Sequence, residues 1–304
     1  MITIPHSYAA HTIEYFGAQG VTWLRELPAL VSELSHLWEF SIREPFALSF
    51  DYVIAVQQSD GTDAVLKIGV SNEGTRRAIV ALRHYDGDGI CRMMRSDTDR
   101  NAMLLERLRP GAMLSELAHD NDDESTRIGA EVMRTLWQPV PPVDSFRPIA
   151  EWFSNAFSRH RAEYGGAGPF PELFFDYAET LANDLLASSL DEVVLHGDLH
   201  HYNILSAERT PWLAIDPKGM RGDPGYEVGP FLLNPDQGGV EIGASRLSRR
   251  LDIFAEYLRY DRQRLRDWGI AHAVLSACWS ADNNGRGWES AIEAGETLRR
   301  LPAQ

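Results

Sequence analysis

The first hundred residues alternate between helical and strand-like patterns of apolar positions. Between Tyr15 and Phe40 the spacing is that of an amphipathic helix, because apolar residues recur at steps of three and four: Val21, Leu24, Leu27, Leu30, Leu34 and Leu37. Pro28 lies inside this run, and we expect it to begin or break part of the helix. Residues 73 to 85 predict a second helix.

Short runs rich in β-branched and aromatic residues surround this second helix. FALSFDYVIAV and DAVLKIGV are separated by QQSDGT, whose Asp-Gly pair is typical of a turn, so this order predicts a β-hairpin. ICRMM and AMLLERL, on either side of residues 96 to 101, predict another pair of strands. The first third of the chain is therefore interpreted as a small sheet with one or two helices.

Beyond RPGAML the pattern changes to long helical stretches separated by polar or proline-rich segments such as HDNDDES and QPVPPVDSF. Two short β-like runs, EVVLH and WLAID, are each followed by polar residues, and we interpret them as a small polar-tipped hairpin. The predicted fold class is α+β. It comprises a β-rich N-terminal lobe of residues 1–107, a hinge near residues 106 to 112 and a mainly helical C-terminal lobe of residues 108–304.

Composition narrows the classes of partner. Acidic residues number 44 against 29 basic ones, and the formal net charge of −15 repels a phosphate backbone but attracts a cation. A small, cationic molecule is therefore favoured over nucleic acid. Cys91 and Cys278 are far apart and form no CxxC spacing, so neither a disulfide framework nor a cysteine zinc site is expected. The N-terminal residues do not resemble a signal peptide, and no stretch approaches a membrane span in length, so we predict a cytoplasmic protein without membrane contact.

The stretch VVLHGDLHHYNIL, residues 193 to 205, is open to three interpretations: a metal site, a phosphoryl-transfer loop or a polar turn without chemistry. His196, Asp198, His200 and His201 are donors that suit zinc or iron. However, neighbouring side chains on an extended loop point apart, and the HExxH pattern is absent. These two observations disfavour a metallohydrolase.

The same stretch also has the spacing H-x-D-x-x-x-x-N, followed by Asp216 at the end of the next apolar run. Phosphoryl transfer needs a carboxylate that accepts the proton of the attacking hydroxyl, together with oxygen ligands for magnesium. Asp198 would be the base, whereas Asn203 and Asp216 would hold the metal. We expect a hairpin to place Asp216 beside Asn203, and His196 to hold the loop by hydrogen bonds. His200 and His201 either flank the substrate or face solvent.

A kinase also needs a cation for the phosphates and a hinge for the nucleotide base. Lys67, on the strand DAVLKIGV, lies upstream of a helix and of the HxDxxxxN loop, which favours the phosphate role over that of a surface lysine. In AMLLERLRPG, the backbone from Glu106 to Leu108 would face adenine.

Four segments together resemble the bacterial aminoglycoside phosphotransferases, specifically the branch of streptomycin 6-phosphotransferases and hydroxyurea kinases: LHGDLHHYNIL, AIDPKGMRGDPGYEVGPFLLNP, VLKIG and LLERLRPG. The resemblance runs from about Pro45 to the C-terminus. It implies a two-lobed protein-kinase-like fold, ATP with Mg²⁺, and transfer of the γ-phosphoryl group to a hydroxyl of a small molecule.

The resemblance also implies roles for single residues. Asp198 is similar to the family's catalytic base, Asn203 and Asp216 to its magnesium ligands, and Lys67 to its phosphate-contacting lysine. Asp223, in GDPGYE, matches a position that is structural rather than catalytic. The segment AVLSACWSADNNGRGW resembles helices that border the acceptor pocket. The candidates for substrate contacts are therefore Trp279, Asp282 and Trp288, together with His200.

Two departures from the family pattern stand out. EPFALSFDYVIAV contains no glycine where a loop should cover the phosphates, although glycine normally lets backbone amides approach them. The helix expected to supply a glutamate for Lys67 offers Glu73, a little over one turn early. Either Glu73 pairs with Lys67 in a shifted helix, or Lys67 is oriented differently.

The predicted function is that of an ATP-dependent phosphotransferase acting on an aminoglycoside such as streptomycin, or on hydroxyurea, and inactivating it. Two alternatives remain open: a kinase for a sugar or choline-like amine, and an ATP-binding sensor or scaffold with little activity. Motif and fold specify the reaction and not the acceptor. ATP versus GTP, and monomer versus homodimer, also stay open at this point.

Overall fold

The chain divides into two compact units, Met1–Arg109 and Pro110–Gln304. The structure is a computed structural model that describes residues 2–142, 145–189, 191–235, 243–284 and 287–302. The lobe boundary after residue 107 and the hinge near residues 106 to 112 stay predictions.

The first unit combines one long helix, one short helix and an antiparallel sheet. Its elements are α1 (His6–Leu37), β1 (Phe40–Pro45), β2 (Tyr52–Gln58), β3 (Asp63–Ile68), α2 (Asn72–Tyr85), β4 (Met93–Asp97) and β5 (Ala102–Glu106). The strands follow the order β1-β2-β3-β5-β4. The predicted hairpin, second helix and second strand pair are confirmed as β2–β3, α2 and β4–β5. Strand β1 was not predicted.

The predicted amphipathic helix is confirmed within α1, but the expected break at Pro28 was wrong. The helix passes through Pro28 without a break and is kinked instead at Gly17, whose φ of 55° and ψ of −132° belong to a region that glycine enters without steric cost. The buried face passes through Leu27, Val31 and Leu34, whereas Val21 is 49% exposed. Val21 lies six positions before Leu27, so at 3.6 residues per turn their side chains point roughly 120° apart around the helix.

The second unit is mainly helical. Its helices are α3 (Leu114–Asp120), α4 (Asp122–Leu136), α5 (Ile149–Tyr164), α6 (Glu172–Ala187), α7 (Val228–Leu232), α8 (Ala244–Leu258), α9 (Arg262–Asn284) and α10 (Glu289–Arg300). Its strands are β6 (Pro110–Met113), β7 (Gln138–Pro139), β8 (Arg147–Pro148), β9 (Val193–Leu195), β10 (Ile204–Ala207), β11 (Trp212–Ala214) and β12 (Met220–Gly222). Single 3₁₀ turns span His201–Asn203 and Pro224–Glu227.

Helix α9 is the centre of this unit. It contacts α5, α6, α7, α8 and α10, and Trp268 on it is completely buried. A buried arginine, Arg250 on α8, donates to the carbonyl oxygens of Phe231 and Leu232 at 3.1 Å and forms an ion pair with Asp122 on α4. Because the end of α7 leaves carbonyl groups without partners inside the helix, this arginine satisfies them within the core.

The predicted pairing of EVVLH with WLAID was wrong. Strand β9, from the first run, pairs with β7 and β12, whereas β11, from the second, pairs antiparallel with β10. Strand β10 begins directly after Asn203 and is too short to show a strand period, so the sequence pattern did not reveal it. Of the helices within the described residues, none has both the length and the apolar character needed to cross a membrane.

Candidate active site

The loop that follows β9 is held in place by the imidazole of His196. Its Nε2 donates to the carbonyl oxygen of Ile215 at 2.7 Å, and its Nδ1 accepts the backbone N–H of Asp198 at 3.3 Å. Complete burial lowers the pKa of His196 to about 3, which agrees with this use of one nitrogen as donor and the other as acceptor. The predicted architectural role of His196 is confirmed.

A second anchor of the same loop is Glu227, which sequence reasoning missed. Its carboxylate accepts the backbone N–H of His196 at 2.7 Å and that of Gly197 at 2.9 Å. Burial raises the pKa of Glu227 to about 7, although the two N–H donors act in the opposite direction. No local pattern identifies this residue, because the β10–β11 hairpin and β12 separate it from Asp198 along the chain.

Gly197 is required by both conformation and space. Its φ of 87° lies in the left-handed region, which favours glycine. A Cβ atom at this position would lie 3.1 Å from Cγ of Met220, 3.3 Å from Cβ of Lys218 and 3.4 Å from Cη2 of Trp152. The residue before Asp198 is therefore enclosed on three sides.

Asn203 lies in the 3₁₀ turn after Asp198. Its Nδ2 donates to the backbone oxygen of Asp198 at 2.9 Å and lies 3.3 Å from Nε2 of His200. Burial lowers the pKa of His200, so a neutral imidazole can accept this second contact. Because Nδ2 makes both of these contacts, the remaining polar atom of the side-chain amide is Oδ1, an oxygen suited to a metal ion.

Asp216 is brought beside Asn203 by the β10–β11 hairpin. Ile204 pairs with Ala214 in the ladder, and the backbone N–H of Ile215 donates to the oxygen of Asn203 at 2.9 Å. The predicted proximity of Asp216 and Asn203 thus arises from a strand pair other than the one expected. Asp216 has a φ of 62°, which is uncommon for a residue with a side chain and is often associated with functional sites.

Lys218, which the sequence analysis did not single out, joins the two carboxylates. Its Nζ lies 2.9 Å from Oδ2 of Asp216 and 3.6 Å from Oδ2 of Asp198. Its backbone N–H donates to the carbonyl oxygen of His196 at 2.7 Å. The two loops that carry the predicted base and the predicted metal ligand are therefore tied together through both the backbone and the side chain of Lys218.

The donor set on these loops fits a hard divalent cation. Asn203 and Asp216 present amide and carboxylate oxygens, which are the ligands that Mg²⁺ takes in proteins, usually with phosphate oxygens and water completing its shell. Lys218 already balances part of the negative charge of Asp216. The site is therefore suited to an ion that arrives with a phosphate ligand.

In the first unit, Lys67 on β3 forms an ion pair with Asp51, with 3.0 Å between Nζ and Oδ2. The lysine side chain is 11% exposed. Glu73, the glutamate considered for this role, forms an exposed ion pair with Arg77 one turn along α2. Asp51 ends the glycine-free segment 46–51, which α1 holds through hydrogen bonds from Tyr8 to Phe50 and between His11 and Ser49.

The residues predicted to face adenine lie at the C-terminal end of β5, and Glu106 is the last residue of that strand. The backbone N–H of Glu106 donates to the oxygen of Arg92 at 2.8 Å, and its carboxylate accepts the N–H of Arg92 at 2.9 Å. Leu108 is buried. Their role in nucleotide binding stays a prediction.

Trp279, one of the predicted substrate contacts, lies on α9 and packs edge-to-face against Trp152 of α5, with 5.3 Å between ring centroids. Because Trp152 also adjoins Gly197, an aromatic pair borders the loop that carries Asp198. Asp282 has a side chain that is only 7% exposed and binds Arg159 at 2.6 Å. Trp288 contacts the ring of Phe170. These assignments to substrate binding stay predictions.

The contacts of two further polar residues, His201 and Asp223, indicate structural roles. His201 is buried against the ring of Phe231, with 3.8 Å between centroids, so the expectation that it flanks substrate or faces solvent was wrong. Asp223 accepts the N–H of Gly225 at 2.8 Å and the hydroxyl of Tyr260 at 2.6 Å, and it binds Arg264. It caps the turn that leads to Glu227, in agreement with a structural role.

Comparison with known proteins places these features in context. The model of the family described as aminoglycoside/hydroxyurea antibiotic resistance kinase matches residues 43–284. A streptomycin 6-kinase of Streptomyces glaucescens is 33% identical, with 98% of both chains covered. A hydroxyurea phosphotransferase of Kitasatospora aureofaciens is 32% identical, over 93% of this chain and 82% of the relative.

A solved structure extends the comparison to the fold. Amicoumacin kinase hAmiN, in complex with AMP-PNP and Ca²⁺, superposes with a TM-score of 0.63 at 14% identity, over 94% of this chain and 97% of that one. At this identity the likeness shows the fold alone. The predicted α+β fold of the protein-kinase-like class is confirmed, and a protein that shares it binds a nucleotide analogue together with a divalent ion.

Proposed function

Because the chain belongs to the aminoglycoside/hydroxyurea antibiotic resistance kinase family, we propose that it transfers the γ-phosphoryl group of ATP to a hydroxyl of a small molecule and so inactivates an antibiotic or related drug. Streptomycin and hydroxyurea are the first acceptors to consider, since relatives bearing those names cover most of the chain. We place the reaction in the cytoplasm, where ATP is available.

One observation carries the proposal. Asp198, Asn203 and Asp216 are brought to adjoining loops, where Lys218 bridges the two carboxylates and Asn203 binds the backbone of Asp198. A sensor or scaffold that only binds nucleotide would need no carboxylate beyond those that hold the metal. The presence of Asp198 in this cluster therefore favours transfer over binding alone.

In the proposed reaction, the acceptor hydroxyl donates its hydrogen to the carboxylate of Asp198. The acceptor oxygen forms a bond to the γ-phosphorus while the bond from that phosphorus to the bridging oxygen of ATP breaks, and ADP leaves with the electron pair. The proton passes to Asp198 and then to water. His196 and Glu227 support this step by holding the backbone on which Asp198 lies.

Asn203 and Asp216 would hold magnesium through their side-chain oxygens. Bound there, the ion would neutralise charge on the phosphates. Lys67, with its carboxylate partner Asp51, is assigned to the phosphates by resemblance, and the backbone from Glu106 to Leu108 is assigned to adenine.

Of these two acceptors, cationic streptomycin is favoured over neutral hydroxyurea. The chain has a net charge of −15, and the aromatic pair of Trp152 and Trp279 borders the loop of Asp198. Aromatic faces and acidic surroundings both attract guanidinium or ammonium groups.

Magnesium-dependent release of ADP tests the proposal. The purified protein is assayed with ATP alone and with streptomycin, other aminoglycosides or hydroxyurea, and Asp198→Asn serves as the control. We expect one acceptor to stimulate release in the wild type and the stimulation to be lost in the variant, which should still bind ATP with magnesium.

The outcomes separate the alternatives. Binding of ATP without stimulation by any drug would favour a metabolite kinase or a sensor. Absence of nucleotide binding by the folded wild type would overturn the proposal, and loss of nucleotide binding in Asp198→Asn would contradict the role given to Asp198.

A further inference from the structure

Lysine is nearly absent from this chain. Of its 29 basic residues, Lys67 and Lys218 are the two lysines, and the remaining 27 are arginines. Arginine forms surface ion pairs such as Arg100–Glu33 and Arg249–Asp123. It also forms the buried ion pair of Arg250 with Asp122. Because a compact ammonium and a planar guanidinium bind different partners, the two lysine positions are candidates for a role that arginine would not fill.

One of these lysines is already assigned to phosphate by resemblance, and the other has no assignment. Lys218 follows Asp216 by two residues, and its backbone is fixed by the bond to His196. Its side chain, which is 35% exposed, ends between the carboxylates of Asp216 and Asp198. The ammonium group therefore lies at the point where the predicted base and the predicted metal ligand face each other.

Electrostatics explains why a cation is needed there. During transfer, the anionic γ-phosphoryl group must come close to the carboxylate of Asp198, and two negative charges at such short range repel each other. A cation between them offsets this repulsion in the ground state. It also stabilises the charge that spreads over the phosphoryl oxygens in the transition state.

We propose that Lys218 is a catalytic residue that donates an N–H hydrogen bond to the transferred phosphoryl group. The inference rests on the proposed kinase function and adds a residue to it. Asp216 would hold magnesium, and the ammonium of Lys218 would then be able to donate to a γ-phosphoryl oxygen while remaining near Asp198. The lysine loses no proton: the acceptor's proton still passes to Asp198, and the bond to the bridging oxygen still breaks toward ADP.

The flexible stem of lysine suits this exchange of partners. Its ammonium carries three donors on a four-carbon chain and binds as a point charge. A planar guanidinium instead prefers a partner that accepts two parallel hydrogen bonds, such as a carboxylate. An arginine at this position would remain bound to a carboxylate. Lys218→Arg should therefore preserve the charge but recover only part of the rate.

The first test compares Lys218→Met with Lys218→Arg. With the acceptor that stimulates the wild type, we expect Lys218→Met to lower kcat by roughly 100- to 1,000-fold, as for removal of one preorganised donor in other enzymes. The arginine variant should lose less. The KM for the acceptor should change little in both, and thermal unfolding without nucleotide shows whether each variant is folded.

The second test needs no turnover and uses the scarcity of lysine. Reductive methylation with ¹³C-formaldehyde labels two lysine side chains and the N-terminal amine, and it keeps their positive charge. The signal that is missing from Lys218→Arg identifies Lys218. We expect this signal to move with magnesium and AMP-PNP but much less with magnesium and ADP, because ADP has no γ-phosphoryl group.

These measurements separate the role of Lys218 from the kinase activity itself. Equal responses of Lys218 to AMP-PNP and ADP, or a Lys218→Met variant that is folded and keeps the wild-type kcat, would overturn the role of Lys218 and leave the kinase intact. A stability loss in Lys218→Met with no selective response to AMP-PNP would reduce Lys218 to a structural residue. Failure of the wild type to respond to any nucleotide would instead count against the proposed function.

Discussion

The buried carboxylate of Glu227 accepts the backbone N–H of His196, with 2.7 Å between oxygen and nitrogen. A hydrogen bond to a charged group contributes roughly 1.5–3 kcal/mol, so this contact is a substantial constraint on the loop that carries Asp198. The same carboxylate binds Gly197, and burial makes its charge costly. The position of Asp198 thus depends on a group whose ionisation state is sensitive to pH.

Replacement of Glu227 by Gln should change how stability depends on pH. Burial raises the pKa of Glu227 from 4.5 to about 7, so between these values the folded protein holds a proton that the unfolded chain has released. Its contribution to the free energy of unfolding therefore falls as pH rises through this window, by roughly 3 kcal/mol at 1.36 kcal/mol per pKa unit. Denaturant unfolding at pH values from about 5 to about 8 measures this loss of stability.

The variant itself is the control for other titrating groups. Burial also lowers the pKa of His196, which acts in the opposite direction, but His196 is present in both proteins. Wild type should lose stability relative to Glu227→Gln as pH rises. Parallel curves for the two proteins would exclude a raised pKa at Glu227.

Gly197→Ala should lower both stability and turnover. A side chain at a φ of 87° costs roughly 1–2 kcal/mol, and the new Cβ would press on Met220 and Lys218. Misplacement of Asp198 by about 1 Å could reduce kcat about 100-fold. Gly165→Ala is the matched control, since its φ is 72° but nothing lies within 4 Å of the added atom.

We expect Gly165→Ala to lose a similar amount of stability through backbone strain and to keep its activity. Urea unfolding and steady-state kinetics measure the two effects separately. Equal kcat values for the two alanine variants would show that the packing around Gly197 does not position Asp198.

Asp216→Ala should weaken binding of ATP in the presence of magnesium and leave the weaker, metal-free binding almost unchanged. The alanine should also lower stability, because Asp216 has a φ of 62° and alanine tolerates the left-handed region less well than aspartate does. Asparagine tolerates that conformation, so Asp216→Asn separates the loss of the carboxylate from backbone strain. Calorimetric titration with AMP-PNP, with and without magnesium, provides the measurement.

Both variants should bind magnesium–AMP-PNP more weakly than wild type, and only the alanine variant should unfold at clearly lower urea concentration. An unchanged affinity in the asparagine variant would contradict the assignment of Asp216 as a metal ligand.

Trp279→Leu should raise the KM of a cationic acceptor and leave the KM of ATP unchanged. A cation over an aromatic face is stabilised by roughly 0.5–2 kcal/mol, which corresponds to about 2- to 30-fold in affinity. A neutral acceptor such as hydroxyurea should be much less affected. Trp137→Phe, which alters a half-buried tryptophan packed against Tyr260, is the control for general loss of packing.

An equal effect of Trp279→Leu on charged and neutral acceptors would show that the aromatic pair shapes the pocket without recognising charge. An effect of similar size in Trp137→Phe would indicate instead a general loss of packing.

The sequence was informative where chemistry and spacing are local. The spacing from His196 to Asn203 identified a loop with a base and a metal ligand, and the Asp-Gly turn identified the β2–β3 hairpin. It was misleading where two local signals competed, as at Pro28 and Gly17 in α1. There, the residue that breaks the helix is the glycine, which can adopt a positive φ.

Helical periods, turns and short motifs depend on near neighbours in the chain, so the order of residues alone indicates which side chains are available for phosphoryl transfer. The pairing of β11 with β10, the bond from the backbone of His196 to Glu227 and the place of Lys218 between Asp198 and Asp216 become visible only in the folded chain. These contacts join segments that are distant along the chain. They depend on how the whole unit buries its apolar surface and satisfies the polar groups enclosed with it, which no local pattern records.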